Sequence, residues 1–146
     1  MSGKNHSPFP ISHFSFRDYP LSLLCIVLIW VLSLAPYFPE TPLSNVKFID
    51  KWTHFVMYGG TCSVIWWEHL RHCRKNARRT LSSYGQQPII HFSLFTFTFL
   101  TALGGLMELL QAYCTTTRSG EWLDFWADTV GVVIGTAIGL LMKKLL

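Results

Sequence analysis

The chain has 146 residues, about the length of one domain, and half of them are hydrophobic while only 14% are charged. Together with a mean hydropathy of +0.31, this composition argues against an ordinary soluble domain. The decisive property is then the length of uninterrupted apolar sequence, because a bilayer core of roughly 30 Å needs about 20 helical residues.

Four apolar stretches are predicted to cross a membrane, after a short and mostly irregular tail over residues 1–18. The second stretch has only 16 uncharged residues, so its charged ends must reach the interfaces. The basic segment over 71–88 is predicted as a hydrophilic loop. The sequence therefore predicts an all-α, four-helix transmembrane domain over 19–146, with spans over 19–39, 50–70, 89–113 and 124–142.

A secretory signal peptide is the alternative for the first span. Ser33 and Ala35 form a small-x-small pair of the kind found at cleavage sites, although Pro36 would directly follow the cut.

The distribution of basic residues predicts the orientation. With both termini in the cytoplasm, nine of the twelve lysines and arginines lie inside, and only Lys47, Lys51 and Arg118 lie outside. The net charge of +4 then reflects topology and not a nucleic-acid surface, which would also need groove-reading elements. The predicted location is a bacterial cytoplasmic membrane, crossed several times.

This topology brings polar residues of three spans to one depth. His54 lies roughly 25 Å from the inner end of its span, Glu108 roughly 28 Å and Asp128 roughly 22 Å, at about 1.5 Å per helical residue. All three reach the outer leaflet. Ionisable residues within a membrane are costly, and they indicate a functional site by default.

Helical spacing groups these residues with others on shared faces. The resulting polar cluster, the candidate site, comprises Asp50, Lys51, His54, Tyr58, Glu108, Gln111, Arg118, Asp124 and Asp128. Arg118 is the expected partner of Asp124 or Glu108. On the fourth span the same face carries Gly131, Gly135 and Gly139, which form overlapping GxxxG patterns and predict close helix packing, within the chain or between copies.

An ordered set of these residues carries a family resemblance. It comprises Asp50-Lys51-x-x-His54-Phe55-x-x-Tyr58, then Glu108-x-x-Gln111, Arg118, Asp124, Gly131 and Gly135. The set covers residues 50–139 and resembles the VanZ-like family of small bacterial membrane proteins. At the position of Asp128 the family usually has Asn, so this chain has an additional carboxyl group there.

The resemblance implies a fold and a polar site, but it does not imply a reaction. The family is named for a protein associated with resistance to the glycopeptide antibiotic teicoplanin. The location of the cluster at head-group depth predicts the partners, which are membrane lipids and a lipid-linked envelope precursor or a lipoglycopeptide.

Three interpretations of the cluster stay open. Its charges can pair only with one another and fix the packing of the helices. They can bind or shield a surface lipid or glycopeptide at head-group depth, beside Trp52, Trp122 and Trp126. They can also perform acid–base or metal-assisted chemistry on a lipid-linked substrate.

The second interpretation, non-enzymatic binding, is favoured. The sequence has no HExxH pair, no nucleophile motif and no Gly-rich phosphate loop. No metal-ligand set and no cofactor are therefore predicted.

Overall fold

The computed structural model describes residues 16–35, 49–79, 89–114 and 120–145, and every regular element in these ranges is helical. A short 3₁₀ turn, Phe16–Asp18, precedes four α-helices, which are α1 (Pro20–Leu34), α2 (Ile49–Arg79), α3 (Ile89–Cys114) and α4 (Trp122–Leu145). The prediction of an all-α protein with four helices is confirmed.

Two of the helices, α3 and α4, are long and apolar enough to cross a membrane. Helix α1 is apolar but has only 15 residues, and it begins at Pro20, whose fixed φ suits the first turn of a helix. Helix α2 has 31 residues and carries charge near both ends.

The predicted loop over 71–88 is wrong in its first half, because α2 continues to Arg79. The reason is local. This segment contains no Gly or Pro before Gly85, and its arginine, lysine and alanine residues are good helix formers. The hydrophilic character of the segment indicates exposure to water, which is compatible with a helix.

The helices alternate in direction, so α1 and α3 run one way while α2 and α4 run the other. Three hydrogen-bonded pairs between helices fix these directions, namely Ser22 with Glu68, Ser33 with Gln111, and Lys51 with Asp124. The ends of α1 and α3 thus meet the starts of α2 and α4 at one end of the bundle, called the mouth end below. The opposite end is called the basic end, after its exposed residues Arg71, Arg74, Lys75, Lys143 and Lys144.

Helices α2 and α4 form the closest contact in the bundle, through the predicted glycine face. A Cβ atom at Gly131 would lie 2.5 Å from the carbonyl oxygen of Phe55, and one at Gly135 would lie 2.6 Å from the Cβ atom of Cys62. Further along, Gly139 lies against the ring of Trp66. The glycine face therefore packs within the chain, on α2, and oligomerisation through it stays a prediction.

Several charged side chains are buried in the bundle, and many large apolar side chains are exposed. The buried core contains Tyr58, Trp66, Leu100, Met107 and Val132, but it also contains two carboxylates of α4 and one histidine of α2. Large apolar side chains are exposed along the outward faces of all four helices. Charged groups in the core together with apolar groups on the surface are the arrangement expected of a bundle surrounded by lipid.

Candidate functional site

Three helices bring ionisable side chains together near the mouth end. His54 of α2, Glu108 of α3 and Asp128 of α4, named the buried triad here, are 2%, 9% and 0% exposed. One ligand atom from each lies within 4.8 Å of the others. The structure therefore brings together three side chains that the sequence predicted at one depth on three helices.

Two oxygen atoms of the buried triad have no donor among the described residues. His54 Nδ1 lies 3.1 Å from Asp128 Oδ1 and 4.0 Å from Glu108 Oε1. Asp128 Oδ2 and Glu108 Oε1 are buried and have no hydrogen-bond partner in the described part of the chain. Buried polar atoms are normally paired, so each exception requires a physical explanation.

Gly104 of α3 makes room for the carboxylate of Asp128 in the buried triad. A Cβ atom at Gly104 would lie 2.8 Å from Asp128 Oδ2, so α3 approaches the carboxylate at a position where it has no side chain. The buried hydroxyl of Tyr58, one turn below His54, also has no hydrogen-bond partner among the described residues.

A second set of charges, named the mouth here, lies closer to the end of the bundle and comprises Asp50, Lys51, Glu121 and Asp124. The ammonium of Lys51 donates to Glu121 Oε2 at 2.8 Å and to Asp124 Oδ1 at 2.9 Å. Asp124 is buried, whereas Glu121 is exposed. Ligand atoms of Asp50, His54 and Asp124 lie within 4.8 Å of one another, so the mouth is continuous with the buried triad.

Two further hydrogen bonds position the helix ends around the site. The backbone N–H of Glu121 donates to Glu108 Oε2 at 2.8 Å, which joins the end of α3 to the start of α4. Gln111, buried on α3, donates through Nε2 to the carbonyl oxygen of Ser33 at 2.9 Å. This second bond brings α1 to the site and gives the predicted Gln111 a positioning role.

One predicted site residue, Arg118, lies outside the described residues. Its expected partners have other contacts. Asp124 pairs with Lys51, and Glu108 accepts from the backbone N–H of Glu121. The aromatic residues expected near the site, Trp52, Trp122 and Trp126, are exposed at the starts of α2 and α4.

A second polar centre, absent from the sequence prediction, lies toward the basic end. Glu68 is only 6% exposed, and its carboxylate accepts from the backbone N–H groups of Leu21 and Ser22 at 3.0 and 2.9 Å and from the Ser22 hydroxyl at 2.5 Å. It therefore satisfies unpaired N–H groups at the start of α1. The available signal was a single acid at the end of the second apolar stretch, three residues before Arg71.

The comparisons with known proteins identify no relative. No family model, no curated protein and no solved structure matches the chain. The VanZ-like family therefore stays a prediction from the ordered residues.

Proposed function

We propose that the chain is an integral protein of a bacterial cytoplasmic membrane, with four spans and both termini in the cytoplasm. The exposed apolar faces support contact with lipid, and the length and hydropathy of α3 and α4 support two of the spans. The five exposed basic residues of the basic end support a cytoplasmic location for that end. The mouth then opens to the outside.

We further propose that the chain is a VanZ-like protein. The support is the order of the residues that carry the resemblance, together with their convergence. Ligand atoms of Glu108 and of Asp124 each lie within 4.8 Å of a ligand atom of His54, although these three residues belong to three different helices. Residues held together for a shared role would be expected to meet in this way.

The function that the site supports best is the binding of an amphiphile from the outer leaflet. The observation that carries this proposal is the composition of the mouth, whose described residues comprise three carboxylates and one ammonium and give a net charge of −2 if all ionise (one minus three). An acidic mouth attracts a primary amine. Exposed tryptophans beside it fit the interface, where an amphiphile places its apolar part below its head group.

The ligand class is therefore an amine-bearing lipid or lipoglycopeptide of the cell surface. The ammonium would lie against Asp50, Glu121 and Asp124, and the acyl chain would lie along the apolar outer faces of the bundle. Binding at this point would sequester or shield the ligand without chemical change.

The test is the affinity of the purified protein, in lipid nanodiscs, for teicoplanin. We expect saturable binding that Asp124→Asn weakens about tenfold, because one lost charge–charge contact in a partly buried site is worth about 1.4 kcal/mol. Asp18→Asn, a matched change at the basic end, should leave the affinity unchanged. Teicoplanin acetylated at its amine should bind to the wild type at least as weakly as the parent compound binds to Asp124→Asn, because acetylation removes the charge that all three carboxylates contact.

A wild type that binds neither teicoplanin nor an amine-bearing phospholipid would contradict the proposal. Equal affinities of the Asp124→Asn and Asp18→Asn variants would also contradict it. Either result would favour the alternative in which the charges only fix helix packing.

A further inference from the structure

The buried triad has the donor set of a metal site. It offers one imidazole nitrogen and two carboxylate oxygens, each from a different helix, with all three ligand atoms within 4.8 Å of one another. Nitrogen and carboxylate oxygen donors together suit divalent ions such as Zn²⁺ and Mn²⁺. Three protein ligands are also typical of sites that keep one coordination position open.

The unpaired oxygens point to a ligand that the described residues do not supply. Asp128 Oδ2 and Glu108 Oε1 are buried and accept no hydrogen bond from any described residue. A cation would satisfy both carboxylates at once. A divalent ion would also cancel their two negative charges, which are costly in a buried environment.

The spacing of the donors is close to that of a tetrahedral site. With metal–ligand bonds of about 2.0 to 2.2 Å, donor atoms lie about 3.4 Å apart. In the buried triad, His54 Nδ1 lies 3.1 Å from Asp128 Oδ1 and 4.0 Å from Glu108 Oε1. The ligand atoms of the two carboxylates lie within 4.8 Å of each other, so side-chain shifts on the order of 1 Å complete the geometry.

A neighbouring group of three, Asp50, His54 and Asp124, also has ligand atoms within 4.8 Å of one another. It is the weaker candidate, because Asp124 already accepts a hydrogen bond from Lys51 at 2.9 Å. In the buried triad, by contrast, the neighbouring hydrogen bond favours metal binding. The backbone N–H of Glu121 donates to Glu108 Oε2 and so orients the carboxylate, while Oε1 stays available for a metal.

We propose that His54, Glu108 and Asp128 bind one divalent transition-metal ion. The metal would join α2, α3 and α4 below the mouth and leave one position open toward it. This inference does not rest on the proposed amphiphile, because a metal can be held whether or not a lipid or glycopeptide binds above it.

The test is zinc binding by the purified protein in detergent, after treatment with a chelator. We expect one Zn²⁺ per chain and a higher melting temperature with zinc. Asp128→Asn, which preserves the shape of the side chain, and His54→Ala should each weaken zinc binding at least tenfold. Asp124→Asn should change it less than threefold, since Asp124 belongs only to the competing group.

A spectroscopic measurement separates this site from zinc bound elsewhere. Co²⁺ in the wild type should give the strong visible absorption of a four-coordinate ion, and Asp128→Asn should lose it while keeping the helical circular dichroism of the wild type. The half-buried Cys73, whose Sγ lies 3.6 Å from His69 Nε2, is the alternative location, so Cys73→Ser should keep the signal.

Two results would overturn the inference. One is the absence of zinc uptake by folded wild type at micromolar zinc. The other is unchanged zinc binding in both His54→Ala and Asp128→Asn. Teicoplanin binding by the metal-free protein would still support the proposed function, so the two proposals can fail separately.

Discussion

Gly135→Leu should disrupt the bundle. A Cβ atom at this position would lie 2.6 Å from both the Cβ atom of Cys62 and the carbonyl oxygen of Gly59, and the backbone oxygen cannot rotate away. The larger leucine therefore has to push α2 and α4 apart. We expect a loss of about 3 kcal/mol or more in the free energy of unfolding, at the upper end of overpacking effects. The melting temperature in detergent should fall by about 10 °C.

The matched control is Gly60→Leu. A Cβ atom at Gly60 would meet nothing within 4 Å, and the residue is exposed, so the same substitution there introduces no clash. Leucine also forms helices better than glycine, and Gly60→Leu should leave the melting temperature unchanged or raise it. If both variants melt at the same temperature, α2 and α4 are not in contact through the glycine face.

Glu68→Ala should detach the start of α1 from α2. The carboxylate accepts two backbone N–H groups and the hydroxyl of Ser22, and the two donors of Ser22 would lose their partner in a buried position. Hydrogen bonds to charged groups contribute about 1.5 to 3 kcal/mol each, so the two buried ones alone predict a loss of about 3 kcal/mol or more. Hydrogen exchange should accelerate at the amides of Leu21 and Ser22.

Glu121→Ala is the comparison for this effect. Glu121 is exposed, and its ion pair with Lys51 is worth less than about 1 kcal/mol. Its backbone N–H, which holds Glu108, is unchanged by the substitution. Equal destabilisation by the two substitutions would show that the carboxylate of Glu68 does not cap α1.

Much of the fold and of the candidate site follows from periodicity. Apolar stretches predicted four helices, and the i, i+4, i+7 rule placed Asp124, Asp128, Gly131 and Gly135 on one face of α4, where all four are buried. The shared face of α4 is a local feature, so the sequence of that helix contains it. The predicted common depth of His54, Glu108 and Asp128 followed from the rise per residue together with the predicted span ends and their alternating directions.

The features that the sequence did not predict depend on contacts between distant segments. Periodicity cannot show that Asp124 pairs with Lys51, because that choice depends on how α2 and α4 are rotated against each other. The cap on α1 joins residues 46 positions apart. The extension of α2 to Arg79 has another reason. Charge predicts that the segment is exposed to water, but helix propensity decides whether the exposed segment is a helix or a loop.

The side of the membrane on which the mouth opens is the central claim, and native Cys114 can test it directly. Cys114 ends α3 at the mouth end and is exposed. In intact cells a membrane-impermeant maleimide should label the wild type and not Cys114→Ser. Lys75→Cys, a substitution at the basic end that is combined with Cys114→Ser, should react with the maleimide only after the cells are permeabilised. Labelling of Lys75→Cys in intact cells, with Cys114 protected, would contradict an outward-facing site.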